Sequence, residues 1–498
     1  MIVTCRQMQQ CEEAAFARGV TAAALMEEAG CGIAEVVRQF APEPGSLVLF
    51  LGKGNNAGDA LVAARELAAD GWRLYVRLSC KADEMKELPR RHFAVLGESV
   101  EVVDDVLAHE FPTGPLVCLD GLLGIGAQGP MKEDLQVLAR EMNALHRQRH
   151  ALTVAMDIPS GLNGEACEDA VEADVTAVVA QVKAGLVEDG ADRYVGRIAF
   201  VPLPELAACE GDSEAEVLTA RLLRPFLPRR PNDMHKGDVG RVGVLAGSRG
   251  FLGAAELACL GALRAGAGLV TLLVKKDAYP LIATCVPAEV MVKLIDDYRD
   301  VLEMRFDALA IGPGLGFDDE KEVLEVMKEW KLPAVIDADA LTMLAENPEV
   351  LDQTSELPRL MTPHPGELDR LLRSFPGWHG MSRRKVVEAL VATAPGRTLL
   401  LKGARTVIAT RGEPTWFNST GHPGMASGGM GDVLTGVCAA FAAQKVPLQH
   451  AAGLSAWLCG RAAEVAAIGD VGAIESVCAS DVAKFLGAAL LDLKQGCF

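Results

Sequence analysis

Twice along this chain, short runs of apolar residues alternate with helical periodicity, and that alternation restricts the possible folds most. In the first half, "TAAALMEEAGCGIAEVVRQF" (21–40) spaces apolar residues by three and four, as an amphipathic helix does. "SLVLFLG" (46–52) reads as a buried strand, "DALVAARELAADG" (59–71) as a helix and "RLYVRLS" (73–79) as a strand. "LVCLDGLLG" (116–124), a helix from about Met131 and "LTVAMDIPSG" (152–161) continue the series. Strands that alternate with helices imply a parallel sheet covered on both faces. The pattern breaks around 205–235, where "RPFLPRRPNDMHKGD" mixes prolines with charges and reads as a linker. A second series follows, with strands expected at 240–246, 268–274, 307–312, 333–337, 359–362 and 398–402, then a mainly helical tail from about Gly429. The expectation is two α/β domains, about 1–215 and 225–498, because 498 residues exceed one ordinary core.

A net charge of -19 argues against non-specific binding to nucleic acid or to an anionic membrane. No apolar run reaches the roughly 18 residues of a spanning helix. The start, "MIVTCRQMQQCEEAAF", lacks the basic-then-apolar pattern of a signal peptide. Thirteen scattered cysteines without a CxxC pair read as reduced thiols, so a cytoplasmic location is expected.

The stretch "GHPGMASGGMGDVLTG" (421–436) is rich in glycine and holds one acid, Asp432. Each glycine is costly to order, about 0.5–1 kcal/mol relative to alanine. Apolar residues at helical spacing follow it, so the glycines sit at the start of a helix. Bare N–H groups and the positive end of the helix dipole form an anion site there. A carboxylate at such an end is expected to stay ionised and to accept a proton from a hydroxyl. A phosphate pocket with one base is the minimum kit for moving a phosphoryl group onto an alcohol.

In the first half, "GKGNNAGDALVAAR" (52–65) joins a strand to a helix but lacks the spacing of a P-loop. Its asparagines and aspartate can orient sugar hydroxyls and amides, or offer oxygens to a cation. "GIGAQG" (124–129) fits G-x-G-x-x-G, yet Pro130 follows it directly and no acid ends a second strand at the right distance. A dinucleotide fingerprint is therefore not supported.

"GGMGD" resembles the GxGD signature of ribokinase-like kinases. With "HKGDVGRVGVLAGSRGFLGAAELACLGALRAGAGLVTL" (235–272), "DALAIGPGLG" (307–316), "PAVIDADAL" (333–341), "TPHPGEL" (362–368) and "LLLKGARTVI" (399–408), the second half resembles the NAD(P)H-hydrate dehydratase family. That resemblance implies a ribokinase-like α/β/α domain. It would use ADP or ATP with Mg2+, ADP favoured, to phosphorylate the ring hydroxyl of the S hydrate of NADH or NADPH; phosphate then leaves. By matched position, Asp432 would be the base, and Gly428, Gly429 and Gly431 would hold phosphate oxygens. Lys402, Gly403, Ala404, Arg405 and Thr406 would form the nucleotide segment, and Ala254, Gly316 and His364 would contact the hydrate. His364, between two prolines, also suits a plain turn.

"LMEEAG" (25–30), "GNNAGDALVAAR" (54–65), "DGLLGIGAQGP" (120–130), "DIPSGLNG" (157–164) and "ADVTAVVAQVKAGLV" (173–187) resemble the NAD(P)H-hydrate epimerase family. This implies a Rossmann-like three-layer α/β/α domain that interconverts the R and S hydrates. Asn55, Asn56, Ala57, Gly58 and Asp59, the loop Gly124, Ile125, Gly126, Ala127, Gln128, Gly129 and Pro130, and Asp157 would bind the hydrate. Asn56, Asp120 and Ser160 would ligate K+. Asp157 suits either a proton shuttle or a cap on the Pro-Ser-Gly turn. The family usually reads NNGGDG where this chain has Ala57 and Ala60, and often Asn where it has His422. If Ala57 or Ala60 needs a positive φ, the loop shifts. The competing reading is a thiazole- or pyridoxal-type kinase with a non-catalytic ligand-binding first domain. Self-association into a homo-oligomer is expected, with no nucleic-acid or membrane partner.

Overall fold

The computed structural model of the protein describes residues 2–127, 129–162, 169–207, 211, 214–378 and 380–496. The chain forms two compact units that divide between residues 213 and 214. The first contains β1 (Ile2–Val3), β2 (Ser46–Leu51), β3 (Arg73–Leu78), β4 (Val100–Val102), β5 (Leu116–Gly121), β6 (Leu152–Met156), β7 (Val175–Val179), β8 (Val182–Lys183) and β9 (Arg197–Val201). Seven of these form a parallel sheet in the order β4-β3-β2-β5-β6-β7-β9. β1 pairs separately with β8.

Side chains alternate across this sheet, as a strand requires. Leu47, Leu49 and Leu51 join the core under the helices Ala22–Phe40 and Asn55–Ala69. Val48 and Phe50 join the opposite core, with Met142 of the helix Glu133–Arg149. Strand order reverses between β2 and β5, which opens a crevice at their carboxyl ends.

The helix Asn55–Ala69 begins four residues before its expected start. Asn55, Asn56, Ala57, Gly58, Asp59 and Ala60 therefore make its first turns rather than a loop. Neither Ala57 nor Ala60 has a positive φ. Both are fully buried and belong to the core. The two methyl groups thus fill the interior without distorting the backbone.

The second unit contains β10 (Ala215–Val217), β11 (Arg241–Leu245), β12 (Leu269–Val274), β13 (Met291–Leu294), β14 (Ala308–Ile311), β15 (Ala334–Ile336), β16 (Arg359–Met361), β17 (Arg397–Leu401), β18 (Thr406–Thr410) and β19 (Thr415–Asn418). They form one sheet in the order β10-β19-β18-β17-β16-β15-β14-β11-β12-β13. All neighbours are parallel except β17 with β18 and β18 with β19, so the expected all-parallel sheet carries an antiparallel meander. β10 pairs with β19, which makes part of the expected linker an edge strand. Order reverses between β11 and β14, giving a second crevice.

Two helices of this unit meet through their backbones. A Cβ added at Gly261, in Leu252–Arg264, would lie 2.4 Å from the Val433 carbonyl oxygen. One at Gly436, in Met430–Ala443, would lie 1.9 Å from the Ala258 oxygen. Only glycine permits that approach.

Among the described residues no helix is long and apolar enough to cross a membrane. Nine cysteines there are free thiols. Cys11 is disulfide-bonded, against the expectation of reduced thiols, since spacing alone does not reveal pairing. Restoring glycine at Ala57 and Ala60 should destabilise the first unit, by about 1 kcal/mol or more per site through lost helix propensity and lost packing. Chemical unfolding of each variant checks this.

Candidate active sites

In the second unit, Gly429 caps the helix Met430–Ala443 with φ 89°. Space beside Gly428 is open to at least 4 Å. A Cβ on Gly431 would stand 3.3 Å from Lys402 Nζ and 3.5 Å from Asp337 Oδ2. The three glycines thus lead the helix end, with its unpaired N–H groups, over a charged cluster. Asp432 sits in the first turn. Burial, then the Asp337 carboxylate, pushes its pKa up to about 6, with Lys402 opposing. This corrects the expectation of an unconditionally ionised acid: burial and like charge outweigh the helix dipole.

Asp337 follows β15 and is 1% exposed. Its Oδ1 accepts from Lys402 Nζ at 2.7 Å and its Oδ2 from Thr435 Oγ1 at 2.7 Å. Lys402 also lies 3.7 Å from Glu367 Oε2. Burial pulls the lysine's pKa down, but Asp337 and Glu367 together reverse this and raise it. Lys402 therefore stays charged, while its backbone N–H bonds the Pro363 carbonyl at 2.8 Å. Gly403 and Ala404 are exposed at the β17–β18 turn. Arg405 is buried, and Thr406 Oγ1 donates to the Gly403 carbonyl at 3.2 Å.

His364 caps the helix Pro365–Leu371. Its Nδ1 accepts from the Gly366 and Glu367 N–H groups at 3.0 and 3.3 Å. The Glu367 carboxylate returns a bond to the His364 N–H at 2.7 Å, completing a capping box. These bonds require a lone pair on Nδ1 and place the ring hydrogen on Nε2. The side chain remains half exposed, so capping the turn leaves its outer edge accessible. Gly316 donates its N–H to Asp339 Oδ2 at 2.9 Å. A Cβ on nearby Gly314 would stand 3.1 Å from Ala254 Cβ. The loops after β11 and β14 therefore meet beside the same acidic cluster. His422 instead braces its own turn: Nδ1 accepts from Gly424 at 3.1 Å and Nε2 bonds the Ala463 carbonyl at 3.0 Å.

In the first unit, Asn56 Nδ2 donates to the Asp120 and Leu123 carbonyls at 3.2 and 2.8 Å. Asp120 is fully buried; it accepts from Ser160 N at 2.7 Å, Ser160 Oγ at 2.6 Å and Leu122 N at 3.2 Å. Burial lifts its pKa to about 6 despite these bonds. Three oxygen-bearing side chains with one carboxylate suit a large, hard monovalent cation. No group of three or more His, Cys, Asp or Glu residues could hold a metal among the described residues.

Asp157 directly follows β6 with φ 67°, a region few non-glycine residues adopt. Its Oδ1 accepts from Val179 N at 3.1 Å and from the Lys183 ammonium. The carboxylate thus reaches across to the β7 end, while Asp120 takes the Ser160 N–H of the Pro-Ser-Gly turn. Burial, then Asp157 and Glu12, pushes Asp59 well above the usual carboxylate range. Asn55 is exposed, Gly58 packs against Met26, and Ala57 faces the core rather than the crevice. The Gly124 backbone approaches Asn56, Ile125 accepts from Gln9 Nε2 at 3.2 Å, and Ala127 N bonds the Gly124 carbonyl at 3.0 Å. A Cβ on Gly126 would stand 4.0 Å from Gln9 Nε2, Gly129 has φ 74° and Pro130 is exposed. Gln128 lies outside the described residues.

Sequence reasoning missed Asp337, Glu367 and Thr435 in one unit, and Gln9, Glu12 and Lys183 in the other. Glu367 was findable as the N3 partner of a capping box. Lys183 carried a signal too, as a lysine within an apolar run.

Geometry therefore defines an α/β enzyme: one unit built for phosphoryl transfer, preceded by a unit that gathers polar groups around a crevice of its own. Residues 242–482 match the family described as NAD(P)H-hydrate dehydratase, and residues 22–185 match that described as YjeF-related protein N-terminus. The chain is 35% identical over 501 residues to the bifunctional NAD(P)H-hydrate repair enzyme Nnr of Moorella thermoacetica, covering 94% of this chain and 92% of that one. It is 34% identical to the Escherichia coli enzyme of the same name, covering 91% and 87%. A solved structure of the ADP/ATP-dependent NAD(P)H-hydrate dehydratase from Bacillus subtilis, co-crystallised with ATP/Mg2+, is 28% identical; it covers 56% of this chain and 98% of its own, with a TM-score of 0.48. The chain belongs to the family of bifunctional NAD(P)H-hydrate repair enzymes.

A base at Asp432 would have to be ionised, and on that expectation dehydratase turnover should fall about tenfold per pH unit below about 6. Its folded pKa lies above the ordinary carboxylate value, so the folded state binds the extra proton. Stability is then lost as pH rises from about 4 through about 6. Asp432→Asn should lose at least about 100-fold in kcat yet melt at a higher temperature at pH 7. A pH–rate profile and calorimetry of both proteins check these outcomes.

Proposed function

We propose that the second unit restores NADH and NADPH from their S hydrates at the expense of a nucleotide, ADP in preference to ATP, and that the first unit interconverts the R and S hydrates. The observation that carries the first half is Asp432 in the first turn of a glycine-opened helix whose Gly431 lies over the Asp337–Lys402 pair. In this reading Asp432 takes the proton of the hydrate's ring hydroxyl as its oxygen attacks the terminal phosphorus of the nucleotide, and the bridging P–O bond breaks to release the nucleotide one phosphate shorter. Helix N–H groups at Gly428, Gly429 and Gly431, with Lys402, balance charge on the transferred group. The phosphate ester then breaks at carbon, a proton leaves the adjacent carbon, and the ring double bond returns. Ala254, Gly316 and the Nε2–H edge of His364 bound the hydrate; Gly403 to Thr406 bound the nucleotide. Mg2+ bound with the nucleotide would neutralise its phosphates.

For the first unit, Asp157 accepts the hydroxyl proton as the carbon–nitrogen bond of the adduct opens, and returns it when the ring closes on the other face. Asn56, Asp120 and Ser160 would hold K+, whose charge would offset the buried Asp120 carboxylate. Asp59 and the segment Gly124–Pro130 line the hydrate. The retained helical backbone at Ala57 and Ala60 supports an active epimerase rather than a lapsed binding module.

The test supplies a mixture of R and S hydrated NADH with Mg2+ and either ADP or ATP, and follows NADH absorbance. Complete recovery, faster with ADP, is expected. A stop at the S fraction would remove the epimerase; a stable phosphorylated product would return the second unit to a simple kinase.

A further inference from the structure

The first unit holds a buried ion pair whose lysine has no part in the scheme above. Lys183 is 1% exposed, and its ammonium donates to Asp157 Oδ1 and, at 2.8 Å, to the Val179 carbonyl. It therefore bridges the residue that directly follows β6 to the residue that ends β7. Lysine is almost never this deeply buried without a specific partner. Its strand, β8, is paired by the start of the chain: Val3 stands opposite Lys183 in the β1–β8 register. The following helix, Cys5–Ala17, places Glu12 where it interacts electrostatically with both Asp157 and Lys183. The same helix carries Gln9 to the Ile125 carbonyl. β1 and this helix both precede the matched region 22–185.

We propose that Lys183, seated by the N-terminal strand, is a positioning residue that holds the Asp157 carboxylate in its working orientation. The inference rests on Asp157 being the proton shuttle. A non-glycine residue at φ 67° persists only where its surroundings over-determine it. Here the Asp157 N–H bonds the Ala177 carbonyl at 2.8 Å, and both donors to the carboxylate, the Val179 backbone N–H and the Lys183 ammonium, use Oδ1. That leaves Oδ2 for the hydroxyl proton of the hydrate. Without the ammonium the carboxylate keeps one backbone donor and is free to rotate.

The experiment measures epimerisation and dehydration separately on the full chain. Lys183→Met should lower epimerase kcat by about 10–100-fold, as loss of an orienting partner does, with KM changed less than about twofold. Lys183→Arg should recover part of that loss, and the dehydratase rate on S hydrate should stay at the wild-type value. A lone buried carboxylate can unfold the unit, so the neutral pair Asp157→Asn with Lys183→Met is the second variant. If Lys183 acts through Asp157, the double variant should be no slower than Asp157→Asn alone. A further tenfold loss in the double variant would overturn the inference, because Lys183 would then act on its own. So would wild-type kcat in Lys183→Met, or a loss confined to KM. Wild-type kcat in Asp157→Asn would overturn both the inference and the reading beneath it.

Discussion

One carboxylate shielded from solvent organises the second unit. Asp337 gives one oxygen to Lys402 and the other to Thr435, each at 2.7 Å. A buried carboxylate with a missing partner is expensive, so the three groups stand or fall together. Lys402 follows β17 and Thr435 lies one turn beyond Asp432 on the glycine-capped helix. Asp337 therefore fixes the separation between the end of β17 and the glycine-capped end of the helix Met430–Ala443. Its charge also acts on Asp432, adding to the burial that raises the pKa of that carboxyl.

The first unit solves a related problem with different parts. Asp120 is as deeply buried as Asp337, but its partners are a hydroxyl and two backbone N–H groups rather than an ammonium. Among the described residues that arrangement brings no ammonium to Asp120, which is the basis for the proposed cation. Asp157 has the lysine that Asp120 lacks. Two acids near neighbouring strand ends thus have different electrostatic surroundings, one without an ammonium partner and one with, which is what the proposed division between holding a cation and handling a proton requires.

Much of this was legible in the sequence where burial is continuous. β2, β11 and β12 fall within a residue or so of their expected limits, because strands covered on both faces are nearly unbroken apolar runs. β4, β10 and β13 have three or four residues and partly exposed faces, so they leave no periodic signal. The helix Cys5–Ala17 was missed for the same reason: only Met8 and Ala15 are buried, and a Thr4–Gln7 capping box starts it. For the sites, glycine clusters and strand-end acids marked the crevices. What they could not mark was partnership. Asp337 with Thr435 spans 98 positions of sequence, and Asp157 with Lys183 spans 26. Such pairs exist only once strand order is known.

The contact between the helices Leu252–Arg264 and Met430–Ala443 changes what belongs to the active site. Gly261 and Gly436 carry no functional group, yet their bare backbones set how far the second helix seats, and with it the height of Asp432 over the sheet. Mutational tolerance in this unit should therefore follow steric room rather than distance from the chemistry. A single added methyl group deep in the helix pair is a lesion of the catalytic apparatus, while many changes at the exposed rim are not.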